Sequence, residues 1–245
     1  MDTDCTIGDR SYRIALPSGD GPHPAILYLH GYRGSAAGVM NNAAYKDMAN
    51  AMGVALIAPK SGGEDWLIRN APRKGFDNDE LELSYFDALM DDVTTRHGID
   101  PARVLVTGFS AGGMMVWTLA CHRGERFAGF LPVAGTFWDP LPEACPNPPV
   151  DLIHIHGTAD QVVPPQGRPI ADTKQGDVFS ALSLFQAAGG YEPTDEGIGA
   201  PKDFTCKGAL APEGSRLYLC LHEGGHSISA DWLRFGFETL VDSTP

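Results

Sequence analysis

The feature that most constrains this chain is the run Val104-Leu105-Val106-Thr107-Gly108-Phe109-Ser110-Ala111-Gly112-Gly113-Met114-Met115. A short apolar stretch ends in G-x-S-x-G, and an apolar, helix-compatible segment follows at once. That pattern specifies a strand, a sharp turn carrying a serine, and a helix packed back against the strand. Gly108 and Gly112 flank Ser110 two residues either side, so strand and helix can cross closely there. The turn sets Ser110 at a helix N-terminus, where backbone N–H groups without helical partners can hold a developing oxyanion. Ser110 is therefore the candidate nucleophile.

The rest of the chain supplies the sheet into which such a turn fits. Residues 12–16 alternate weakly before Pro17 and read as an antiparallel edge strand. Continuous apolar runs at 25–29, 54–58, 129–134, 152–156 and 216–221 read as buried strands. Helical patterns cover 42–52, 80–97, the segment after Ser110 to about His122, 177–188 and 229–241. Strands alternating with helices predict an α/β fold with a mostly parallel, doubly wound sheet and helices on both faces. At 245 residues this is one domain over 1–245, with no repeat or linker. Segments 60–79, 136–149 and 189–212 lack periodicity and read as long loops lying over the site.

The order nucleophile, acid, histidine is the one used by α/β-hydrolases. Asp160 follows the 152–156 strand by a few residues, where a carboxylate can reach a histidine on the next strand's loop. Asp151 precedes that strand and lies at the wrong end, while Asp139 and Asp172 are less well placed. His226, in Glu223-Gly224-Gly225-His226, follows the last strand and is the candidate base, with His222 the runner-up at the strand end. His154 and His156 alternate on one strand and face one side, which suits packing at the sheet end. A metal reading of His154, His156 and Asp160 has the right ligand types, but the serine apparatus needs no metal or other cofactor. The oxyanion hole calls for the N–H of Ala111 and one from the turn after His30-Gly31, which is Tyr32. The Tyr32 ring would also wall the acyl pocket, joined by the loop residues Trp66 and Trp138; a loop tryptophan equally serves as a plug over the core.

These motifs resemble the α/β-hydrolase esterases of the polyhydroxybutyrate depolymerase and feruloyl esterase group. The resemblance rests on His30-Gly31, Gly108 to Met115, Pro132-Val133-Ala134-Gly135, His156-Gly157-Thr158-Ala159-Asp160 with Val163-Pro164, and Gly224-Gly225-His226. It implies a carboxylic ester hydrolase with Ser110 as nucleophile, Asp160 as acid and His226 as base. It leaves open hydroxyalkanoate oligomers, other polyesters and feruloyl-type aromatic esters as substrates. The chain departs from the group at Tyr32-Arg33 and at Ser227-Ile228, both beside the pocket. A peptidase of the same fold, or a non-catalytic binding protein on it, stays open at this point.

The formal net charge of −13 at pH 7 argues against nucleic acid or an anionic membrane as partner, since no run of Lys or Arg offsets it. The expected partner is a neutral ester; the oligomeric state is left open. The opening Met1-Asp2-Thr3-Asp4-Cys5 has no apolar signal core, and no run approaches the ~18 apolar residues of a membrane span. Five cysteines suit an oxidising compartment, so the expectation is a secreted or periplasmic mature form, with the cytoplasm as alternative. Pro212 and Gly214 allow the segment between Cys206 and Cys220 to turn back, which predicts a bridge between them. Cys121 with Cys145 is a second pair, leaving Cys5 odd.

Overall fold

The computed structural model describes residues 3–72 and 79–242. Positions 73–78 of the segment read as the 60–79 loop lie outside the described residues. The chain opens with a hairpin, β1 (Cys5–Ile7) and β2 (Arg10–Ala15), followed by β3 (His23–Leu29). Helices α1 (Ala36–Asn41) and α2 (Ala43–Met52) lead into β4 (Ala55–Pro59). Then come α3 (Glu80–His97), β5 (Ile99–Phe109), α4 (Ala111–His122), β6 (Gly129–Val133), β7 (Trp138–Asp139) and β8 (Leu152–Gly157). After β8 stand β9 (Pro169–Ile170), β10 (Thr173–Gln175), α5 (Val178–Gly189), β11 (Glu192–Thr194), β12 (Thr205–Leu210), β13 (Arg216–His222) and α6 (Ala230–Phe237).

Ten of these strands form one sheet in the order β1-β2-β4-β3-β5-β6-β8-β13-β12-β11. The six central strands are parallel to one another, and antiparallel strands close both edges. The apolar runs of the centre are buried on both faces because successive side chains point to opposite sides. Leu27, Leu29, Val104 and Val106 face a core shared with α3, α4 and α5. Ile26, Tyr28 and Leu105 face a second core shared with α1, α2 and α6.

Helix limits follow from capping chemistry. Asn42 accepts from the Ala44 N–H, Asp177 from Ser180 and Ser229 from Trp232, each satisfying a donor the helix itself leaves open. Gly98 ends α3 with φ 63°, a conformation that favours glycine.

The structure corrects three readings. The 189–212 segment does not lie over the site as a loop; it supplies β11 and β12 and extends the sheet beyond β13. Its signal was weak because Pro193 interrupts one strand and Gly208 the other. Tyr218 on β13 covers Gly208, and a Cβ there would stand 2.1 Å from the Tyr218 ring. The 136–149 loop contains β7, which joins β10 and β9 in a separate three-stranded sheet. Residues 36–41 form an additional short helix, capped by Ser35.

Disulfides join Cys206 to Cys220 and Cys121 to Cys145, and Cys5 is a free thiol. Cys206 and Cys220 are directly opposite each other on β12 and β13.

Candidate active site

The chain runs from β3 to β4 on one side, then places β5 on the other side of β3. The sheet order reverses at that point, and the crevice beyond the C-terminal ends of such strands is where open α/β sheets bind ligands. Both β3 and β5 end there. Ser110, immediately after β5, has φ 58° and ψ −120°, a backbone conformation that costs a non-glycine residue about 1–3 kcal/mol. It is held by its neighbours: the Ser110 N–H donates to the Val133 carbonyl at 3.0 Å, and its carbonyl accepts from Met114 at 2.9 Å. The flanking glycines are required by contact. A Cβ on Gly112 would stand 2.0 Å from the Leu29 carbonyl oxygen, and one on Gly108 would stand 2.5 Å from the Gly112 backbone.

Asp160 lies in the turn after β8 and is buried. Its Oδ1 accepts from the N–H groups of Val162 and Val163 at 2.8 and 2.9 Å. Its Oδ2 accepts from His226 Nδ1 at 2.7 Å. A carboxylate only accepts, so His226 Nδ1 is the donor, and in the neutral ring this tautomer puts the lone pair on Nε2. The His226 ring lies 4.5 Å from that of Phe109, the residue before Ser110. His222 is placed differently: its Nδ1 accepts from the Gly224 N–H at 3.0 Å and its ring packs 4.7 Å from Trp232.

His154 and His156 are turned toward each other, with 2.9 Å between Nε2 and Nδ1. His156 Nε2 donates to the Val163 carbonyl at 2.7 Å and stands 3.6 Å from the Asp160 carboxylate. The pair thus underpins the Asp160 turn. Burial pushes both imidazoles below their ordinary value, His154 well below it.

The turn after β3 lies against Ser110. A Cβ on Gly31 would be 3.5 Å from the Ser110 Cβ. Arg33 takes φ 57° and donates its N–H to the Glu64 carbonyl at 2.9 Å, which fixes the turn on the far side of Tyr32. Trp66 is fully buried and donates its indole N–H to the His30 carbonyl at 2.8 Å. Its ring stacks on His30 and on Phe86. Trp66 therefore braces the turn that carries Tyr32.

Ser110, Ala111, Tyr32, Trp66 and Trp138 all line one cleft of about 490 Å³. Asp160 and His226 meet each other beside it. Part of the lining was not legible in the sequence: Val162, Val163, Arg168, Ile170 and Gln175, between β8 and α5, also line the cleft. Only Val163, in the Val163-Pro164 motif, carried any signal. Among the described residues no cluster of three or more His, Cys, Asp or Glu is arranged to hold a metal ion, and no helix is long and apolar enough to cross a membrane.

The chain is 33% identical over 165 residues to NocK of Nocardia uniformis subsp. tsuyamanensis, covering 64% of this chain but only 47% of that protein. It is 30% identical over 205 residues to feruloyl esterase C of Emericella nidulans, covering 80% of this chain and 67% of the relative. The structure of the acetyl xylan esterase from Aspergillus awamori superposes with a TM-score of 0.66 over 96% of this chain and 98% of that one. Identity there is 16%, so that likeness speaks to the α/β-hydrolase fold alone. The Phospholipase/Carboxylesterase family model matches residues 13–173. Fold, order of elements and family match agree, and the chain belongs to the phospholipase/carboxylesterase family of α/β-hydrolases.

Proposed function

We propose that this chain hydrolyses carboxylic esters by two-step acyl transfer on a single catalytic domain. The observation that carries the reading is the His226–Asp160 hydrogen bond, with the His226 ring 4.5 Å from that of Phe109, the residue before a serine held in a strained strand-to-helix turn. His226 Nε2 takes the Ser110 proton as Oγ attacks the ester carbonyl. Asp160 keeps the other imidazole proton on Nδ1 and stabilises the imidazolium that forms. The N–H groups of Ala111 and Tyr32 receive the oxyanion. His226 then protonates the leaving alcohol, and water repeats the sequence on the acyl-enzyme. No step calls for a cofactor.

The substrate is a neutral ester, either of hydroxyalkanoate or related polyester type or of feruloyl type. A cleft walled by Trp138, Trp66 and Met114 supports an acyl group of that size. Two disulfides support folding in an oxidising compartment, as for a secreted or periplasmic protein. The test is a hydrolysis panel of p-nitrophenyl acyl esters, methyl ferulate and hydroxybutyrate oligomers, run on the parent and on Ser110→Ala. The parent is expected to turn over at least one class, and Ser110→Ala to lose about 10⁴–10⁶-fold in kcat. Equal rates in a folded Ser110→Ala variant would overturn the assignment.

A further inference from the structure

The part of the cleft lining between β8 and α5 holds polar groups that the hydrolytic mechanism does not use. Gln175 ends β10, paired with Trp138 on β7. It is only 5% exposed, it lines the cleft, and its Oε1 has no hydrogen-bond partner among the described residues. A buried amide left unpaired is destabilising, and such groups are rare unless something arrives to pair them. The strand is held by its backbone, since the Gln175 N–H donates to the Arg168 carbonyl at 2.9 Å and the Gly176 N–H to Phe137 at 2.7 Å. The carboxamide oxygen is thus free to serve another purpose.

Arg168 belongs to the same part of the cleft lining. The Arg168 Nε donates to the Val162 carbonyl at 2.8 Å, which anchors the guanidinium beside the Asp160 turn. Among the described residues Arg168 is in no ion pair, whereas the cleft-lining Glu64 already faces Arg33 at 3.5 Å. Two terminal nitrogens of Arg168 remain as donors, and Gln175 Oε1 as an acceptor.

We propose that Gln175 and Arg168 are specificity-determining residues that receive a hydroxyl on the acyl group of the ester. A hydroxyl donates one hydrogen bond and accepts others, so it pairs with Oε1 and with the guanidinium together. A carboxylate would only accept and would leave Oε1 unpaired. A plain alkyl or unsubstituted aryl group would leave both unpaired, and a site built this way discriminates strongly against it. This rests on the esterase reading above and deepens it. The shared chemistry is a hydroxyacyl ester, whether an aliphatic 3-hydroxyacyl group or a phenolic cinnamoyl group.

The experiment compares matched esters: methyl 4-hydroxycinnamate against methyl cinnamate, and methyl 3-hydroxybutyrate against methyl butyrate. The measured quantity is the kcat/KM ratio within a pair, which cancels any loss of folded enzyme. The parent is expected to favour the hydroxylated member of at least one pair by about tenfold or more, and the favoured pair identifies the source. Gln175→Met, close in size but without the amide, should bring that ratio to within about twofold of unity. Parent ratios near one in both pairs, or a Gln175→Met ratio in the favoured pair within about threefold of the parent's, overturn the inference. Equal turnover of both members of a pair would leave the esterase reading standing. No Ser110-dependent turnover of any ester would remove both.

Discussion

His222 and His226 stand four positions apart and carry different duties. His226 offers a free Nε2 because Asp160 holds the proton on Nδ1, whereas His222 spends its Nδ1 on the Gly224 N–H and its ring on Trp232. His226→Ala should lower kcat/KM by about 10⁴-fold or more. His222→Ala should keep it within about tenfold while lowering the urea midpoint, since it removes packing and leaves a backbone donor unpaired. Steady-state kinetics on the two purified variants decides between them, and the reverse ranking would move the base to His222. Trp66 presents a similar separation of roles. Its N–H to the His30 carbonyl holds the turn bearing Tyr32, so Trp66→Phe should lower kcat about tenfold with KM little changed. A rise in KM alone would make Trp66 a substrate wall and nothing more.

At the scale of elements, the crossing of β5, α4 and β3 tolerates no added atoms at Gly112. Gly112→Ala should fail to give soluble protein or lose several degrees of Tm, because the new methyl meets backbone rather than a movable side chain. Replacing Cys206 and Cys220 together by Ser removes a bridge spanning 14 positions. The expected cost is about 3 kcal/mol by denaturant titration, from the freedom regained by the unfolded chain. The central strands were legible because each contains a mostly apolar run buried on both faces, as in Ala25 to Leu29. The elbow was legible because steric demand dictates its glycines. β11 and β12 were not legible: Thr205–Leu210 is a polar, glycine-containing segment whose strand state comes from pairing with β13, not from its own propensity.

For the molecule as a whole, the proposed triad residues could be singled out in the sequence because each sits in a short motif just after a strand. Arg168 and Gln175 could not, because Arg168 lies in the irregular segment just before the two-residue β9 and Gln175 ends the three-residue β10, and neither stretch carries periodicity. The distribution of buried imidazoles has a further consequence. Burial holds His154 well below its ordinary value, and His30, His156 and His222 below it as well. These rings fold neutral, while the unfolded chain takes up protons as pH falls through about 6.5. Stability is therefore present above that value and drains below it. The urea midpoint should fall between pH 7.5 and 5.5. Relief of repulsion from the net charge of −13 acts in the opposite direction. About 0.5 M salt screens that repulsion and leaves the buried rings untouched, and a flat or rising midpoint there would contradict the account. The central claim is that Ser110 is the acyl-accepting nucleophile, and a fluorophosphonate that reacts covalently with activated serines tests it most directly. Intact-mass and peptide mapping should find one adduct per chain, on the peptide containing Ser110, with esterase activity lost in proportion and no labelling of Ser110→Ala. Full ester turnover in protein that carries the Ser110 adduct, or an inactivating adduct on any other residue, would contradict it.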